Sequence, residues 1–247
     1  MRTRAFASRN FKEMVRDKLN LAFGLGFPIV LLLLLSMIQS NIPVPLFKID
    51  NLAPGVAVFG LSFISLFSGM LIAKDRSSSF MLRLFTSPLS AANFIFGYTI
   101  PLLPLAIIQI AVCFIVALFL GLAVSVNILM SIVVLVPAAM VFIALGLLCG
   151  SLLNDKQVGG VCGALLTNLS AWLSGTWFDV KLVGGAFETI ANALPFIHAV
   201  NAGRAALSGN YAGIFPDLWW VIGYAVALTV LAIAVFTHKM NSDSGNT

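Results

Sequence analysis

The sequence predicts an all-α membrane protein with six transmembrane helices. An N-terminal amphipathic interface helix precedes them, a short cytoplasmic helix lies between spans 2 and 3, and two short external helices lie between spans 5 and 6. Three observations lead there. Hydrophobic residues make up 60% of the chain and charged ones 9%, against roughly 25% charged in a soluble domain, which is too few to cover a water-soluble fold. The apolar residues fall into runs long enough to cross a bilayer, which takes about 20 residues of helix. The basic residues gather on one side when the chain crosses six times.

Residues 1–18 carry Arg2, Arg4, Arg9, Lys12, Arg16 and Lys18 among Phe6, Phe11, Met14 and Val15 at helical spacing, the pattern of a cytoplasmic interfacial helix. The transmembrane domain then occupies 19–237. Span 1 runs from Leu19 to Gln39, and its apolar run is too long for a cleavable signal. Span 2 runs from Leu52 to Ala73, followed by the polar break Lys74 to Ser79. After it, Phe80, Met81, Leu84 and Phe85 share one face of a short helix, with Arg76, Ser79 and Arg83 on another.

Between Leu84 and Asn154 no residue is charged, a stretch too long for one crossing. It divides near Gly121 to Asn127 into span 3, Ala92 to Leu120, and span 4, Ile128 to Leu153, with Pro101, Pro104 and Pro137 predicting kinks. Asp155 and Lys156 turn the chain into span 5, Val158 to Phe178. Leu182 to Leu194 and His198 to Leu207, divided by Pro195, are each too short to span. Span 6 runs from Leu218 to Phe236, and 238–247 form a cytoplasmic tail. This arrangement places eleven of the fourteen basic residues on one side, leaving Lys48, Lys181 and Arg204 on the other. The crowded side is therefore the cytoplasm, with both termini in it. The same distribution explains the net charge of +5 as membrane orientation, and no nucleic-acid partner is expected.

None of the nine acidic residues falls inside a predicted span. Proton relays, metal ligation and acid–base chemistry need titratable groups within the bilayer, so proton-driven transport is disfavoured, whereas sodium held by backbone carbonyls stays open. Cys113, Cys149 and Cys162 lie singly in apolar segments and read as packing residues, with no metal site. Asn168, Thr167 and Ser170 read as interhelical hydrogen-bonding residues or as the lining of a path. Gly146 with Gly150, and Gly159 with Gly163, have the spacing of closely packed helices.

Three segments carry a family resemblance. One is Asp75, Arg76, Arg83, Leu84, Ser87, Pro88 and Gly97. The second is Leu173, Ser174, Gly175, Trp177 and Phe178 with Leu194, Pro195, Phe196 and Arg204, and the third is Arg9, Asn10, Phe11 with Arg16, Asp17. In that order and on a six-span frame, the chain resembles the membrane subunits of type-2 ATP-binding-cassette exporters over nearly its whole length. Where that family commonly has Glu-x-Gly-Thr, this chain has Ser77, Ser78, Ser79 and Phe80.

The resemblance implies a multi-pass permease of a bacterial plasma membrane, in contact with membrane lipid and driven by a separate ABC ATPase subunit. That partner would press on a coupling helix through Asp75, Arg76, Phe80, Arg83, Leu84 and Pro88. It also implies a second permease copy or a homologous permease, with helices 2 and 5 lining the path through Phe59, Phe63, Phe67, Asn168 and Trp172. Such an aromatic, uncharged wall suits an amphiphilic or hydrophobic drug, peptide or lipid-like cargo. The chain has no Gly-x-x-x-x-Gly-Lys-Ser/Thr loop, so no cofactor is expected in it, and ATP and Mg²⁺ belong to the partner. An ion-coupled carrier and a membrane-embedded scaffold or enzyme are the alternatives; for the latter, His198 and His238 stand apart and offer no catalytic pair.

Overall fold

The computed structural model describes residues 2–43, 47–77 and 90–244, with the side chains of Arg2 and 240–244 excepted. Among the described residues it is helical, with no strand, and five helices are long and apolar enough to cross a membrane. We label the helices α1 (Arg2–Arg16), α2 (Lys18–Ser40), α3 (Ile49–Ser77), α4 (Ala91–Phe119), α5 (Asn127–Leu152), α6 (155–173), α7 (Gly185–Ala193), α8 (Pro195–Leu207) and α9 (Ile214–Ser244). The five candidate spans are α2, α3, α4, α5 and α9. The six-span expectation is matched at five positions, and its fifth span, α6, is built differently.

Sequence chemistry accounts for the boundaries. Asp17 separates α1 from α2 and accepts hydrogen bonds from the backbone N and Nδ2 of Asn20 at 3.2 and 2.7 Å. α2 widens into a π-helical turn at Ala22–Gly26, one turn before Pro28. Proline has no N–H to offer the preceding turn, and a π turn re-spaces the ladder around that gap. Ser90 caps α4 by accepting from the Asn93 N–H at 3.3 Å. Gly121, at φ +102°, opens the hairpin to α5, a conformation that glycine adopts without a Cβ penalty. α5 is interrupted at Leu135, just ahead of Pro137. Asn154 and Gln157 close a reciprocal capping box at the start of α6.

Three boundaries depart from expectation. Helix α9 runs from Ile214 to Ser244 and takes in most of the expected 238–247 tail. Helix α6 stops at Leu173 rather than Phe178, because Gly175 turns the chain at φ +66°. It also contains π-helical turns over Gly159–Leu166. Helix α3 runs to Ser77, so Asp75 is part of it and is buried.

The core centres on α3, whose most apolar window is 83% buried against 17% for α2 and for α9. It packs most extensively on α5, and small residues set that distance. A Cβ on Gly146 would come within 2.0 Å of the Ser65 carbonyl oxygen, and one on Gly150 within 2.3 Å of that of Gly69. Ser68 Oγ crosses the same seam to the Ile143 carbonyl at 3.2 Å. This is the close approach that small-residue spacing allows between helices in lipid. Gly159 has nothing within 4 Å and Gly163 meets the Leu66 side chain, at 3.3 Å, so the second glycine pair makes no backbone seam.

Candidate functional site

Helix α1 lies against the end of the bundle where α3 ends and α4 begins. Phe6, Asn10 and Met14, four residues apart, are buried, while Phe11 and Val15 face outward. Phe6 meets Phe94 and Tyr98 edge-on, with ring centroids 5.5 and 4.9 Å apart, and it sits on Gly97, where a Cβ would approach it to 2.4 Å. Asn10 Nδ2 donates to the Gly97 carbonyl at 3.1 Å. An apolar stripe with one amide in its middle thus seats α1 on α4.

The charged part of the contact is a fork. Arg9 places Nη1 and Nη2 on the two carboxylate oxygens of Asp75 at 2.5 and 2.7 Å. Tyr98 donates its hydroxyl to Asp75 Oδ2 at 2.8 Å. Arg9 also reaches Glu13 at 3.0 Å and donates to Asn10 Oδ1 at 3.0 Å. A two-point guanidinium–carboxylate pair fixes orientation as well as distance. Partial burial would lower the Arg9 pKa, but the hydrogen bond and charge of Asp75 outweigh it and raise it. Lys74 and Asp17 form a looser pair at 3.6 Å. Next along, Arg76 Nη1 donates to the carbonyls of Gly150 and Leu153 at 2.8 and 3.3 Å. It thereby satisfies acceptors left open at the C-terminal end of α5.

Asp75 and Arg76 therefore tie α1, α4 and α5 to the end of α3. Phe80, Arg83, Leu84 and Pro88 lie outside the described residues. Sequence reasoning singled out Arg9, Asn10 and Asp75 only within family-like segments, and it missed Tyr98. A hydroxyl-bearing aromatic within a long uncharged run was the available signal, since a buried tyrosine needs a partner for its O–H.

The residues expected to line a path fall in two places. Phe59 and Phe63 meet each other and Phe27 of α2, with centroids 5.9 Å apart for the pair and 5.2 Å from Phe27 to Phe63. Phe59 continues to Trp177 at 5.6 Å. Phe67 is buried and lines a 250 Å³ cavity with Met14, Met70 and Lys74. Asn168 and Trp172 instead share an exposed stripe of α6 with Leu165 and Leu169. Asn168 donates to the Ala164 carbonyl of its own helix at 2.8 Å.

The opposite end of the bundle is organised by Arg204 and His198. Arg204 Nε donates to the Asn51 carbonyl and Nη2 to the Gly175 carbonyl, both at 3.0 Å, joining α8 to the start of α3 and to the turn after α6. His198 has Nδ1 2.5 Å from Asp217 Oδ1 and Nε2 2.8 Å from the Asn192 carbonyl, and its ring stacks on Trp220 at 5.2 Å. Both neighbours are pure acceptors, so both ring nitrogens donate only in the protonated form. The hydrogen bond to Asp217 raises the His198 pKa, against the opposing pull of burial.

Comparison with known proteins agrees with this architecture. The model of the ABC-2 type transporter family matches residues 1–208. The chain is 24% identical over 192 residues to ABC transporter G family member 20 of Dictyostelium discoideum, covering 76% of this chain and 26% of that protein. It is 32% identical over 123 residues to a protein of Porphyra purpurea provisionally named transport permease ycf38, covering 47% of this chain and 42% of that one. The chain thus spans less than half the length of either curated relative. No solved structure matches it. With apolar helices long enough to span a membrane and a family match over most of its length, the chain belongs to the ABC-2 type transporter membrane family.

Proposed function

We propose that this chain is the permease subunit of an ATP-driven exporter that moves an amphiphilic or hydrophobic substrate out of the cytoplasm. The supporting observation is the Arg9–Asp75–Tyr98 cluster. It locks α1, α3 and α4 together at Asp75, in the last turn of α3 before the 78–89 segment, so a push on that segment meets a braced bundle. Packed elements of this kind move as rigid bodies. An ABC ATPase subunit engages the segment through Phe80, Arg83 and Leu84, and it holds the ATP and Mg²⁺.

Helix α6 serves as a sixth span. Its 19 residues at about 1.5 Å each approach the thickness of a bilayer core, and six crossings put both termini and residues 74–90 in the cytoplasm of a bacterial cell. Its outward stripe of Leu165, Asn168, Leu169 and Trp172 faces a second permease copy, and the path runs between the two.

The test is purification with the candidate ATPase, followed by transport assays in vesicles. ATP-dependent efflux that is lost in Arg83→Glu while the chain stays folded supports the reading. Transport that ignores the ATPase and follows an ion gradient overturns it. So does labelling of a cysteine placed at Arg83 from outside the cell.

A further inference from the structure

The end of the bundle opposite the charged cluster holds a cavity of about 380 Å³ between the start of α3, the turn after α6 and helices α7 and α8. Its wall is polar, unlike the apolar grooves along α2 and α9. Asn51, Asn192 and Asn201 present side-chain amides, and Lys181 an ammonium, that make no hydrogen bond among the described residues. Arg204 spends Nε and Nη2 on two carbonyls and leaves Nη1 unbonded among those residues. Asp179 also lines the cavity, and its Oδ1 already accepts from the Lys181 backbone N–H at 3.0 Å. Two cations and one carboxylate leave a local charge of +1, with three amides that can each donate. One side is apolar: Trp177 lines the cavity and meets Phe59 edge-on, and Phe59 leads on to Phe63 and Phe27.

We infer that this cavity binds the anionic headgroup of an amphiphile, a phosphate or carboxylate, whose apolar body lies along Trp177 toward Phe59. Lys181 and Nη1 of Arg204 supply the charge, and the amides of Asn51, Asn192 and Asn201 hydrogen-bond the anion's oxygens. Asp179 repels an anion, but Lys181 and Arg204 beside it make the net field positive, and that field selects anions. Calling this ligand cargo rests on the permease reading; the binding site itself does not.

Dodecyl phosphate is the probe, with the full chain in phosphatidylcholine nanodiscs. Trp172, Trp219 and Trp220 are replaced by phenylalanine, so that Trp177 reports binding by its fluorescence. The expected result is saturable binding that weakens with salt, at least fivefold weaker in Lys181→Glu and a few-fold weaker in Asn201→Ala, with thermal unfolding of both variants unchanged. Dodecyl maltoside should not compete, and inorganic phosphate should bind at least a hundredfold more weakly. Equal binding by Lys181→Glu, or competition by the maltoside, removes the anionic site. Inorganic phosphate binding as tightly as dodecyl phosphate removes the amphiphile and leaves a bare anion site. None of these outcomes touches the ATPase-dependence assay, so the two readings fail separately.

Discussion

The two ends of the bundle use polar residues in opposite ways. Where α3 ends and α4 begins, polar groups are spent on one another: Arg9 forks onto Asp75, Tyr98 adds its hydroxyl, Asn10 holds the Gly97 carbonyl and Arg76 caps α5. At the far end, Arg204 and His198 brace the short helices, but the side chains of Asn51, Asn192, Asn201 and Lys181 stand around a cavity and make no hydrogen bond among the described residues. Satisfied polar networks stiffen a structure, whereas unspent donors around a hollow are what a ligand finds useful. On the proposed reading, the same chain is braced where a partner would push and open where a ligand would bind.

The difference is sharpest at Arg9. Replacing it with alanine leaves the buried Asp75 carboxylate with Tyr98 but without its counter-charge, and removing one partner of a buried ion pair costs about 3 kcal/mol. Denaturant unfolding in detergent should show a loss of that order. Arg9→Met combined with Asp75→Leu should lose less than the two single changes added together, because neither charge is then stranded. A smaller effect is expected from Tyr98→Phe, which removes one hydrogen bond to a charged group, worth about 1.5 kcal/mol. If that variant unfolds like the parent, the hydroxyl is not part of the brace.

How much of this was legible depends on which interaction sets each feature. Span positions were, because a 20-residue apolar run can hardly be anything else in a chain this poor in charge. The hairpin at Gly121, the break before Pro137 and the seam at Gly146 and Gly150 were legible too, since glycine and proline act through local geometry. The early end of α6 turned on the φ of Gly175, which an apolar run passing through Trp177 and Phe178 conceals. The π turns of α6 leave no periodic signature. Asp75 looked like a loop residue because charge alone argues for a span end. Only its pairing with Arg9, 66 residues away, makes burial affordable, and a single sequence does not print such pairs. The cavity was invisible for the same reason: Asn51, Lys181 and Asn201 are unremarkable until the fold gathers them.

At the far end the expected effects are smaller and depend on pH. The His198 pKa is raised in the folded chain, so its contribution is fully present below the unfolded value of about 6.5 and is lost as pH rises through the folded value. The groups facing it are the Asp217 carboxylate and Trp220 ring from α9 and the Asn192 carbonyl from α7. Deprotonation forfeits one of two hydrogen bonds, roughly 1 kcal/mol. Unfolding midpoints should therefore fall as the pH rises above about 6.5 in the parent and stay flat in His198→Gln. A flat parent profile would mean that the ring keeps one acceptor unsatisfied in the folded chain.

Asn201→Ala should show the least, within about 0.5 kcal/mol of the parent, as for surface substitutions that break no interaction. That small number separates the two ends more cleanly than the large one at Arg9. A residue that stabilises nothing yet weakens dodecyl phosphate binding is part of a site, whereas one whose loss loosens the fold is part of a frame. If Asn201→Ala unfolds as readily as Tyr98→Phe, the far end is a frame as well, and its hollow is only the space left between packed helices.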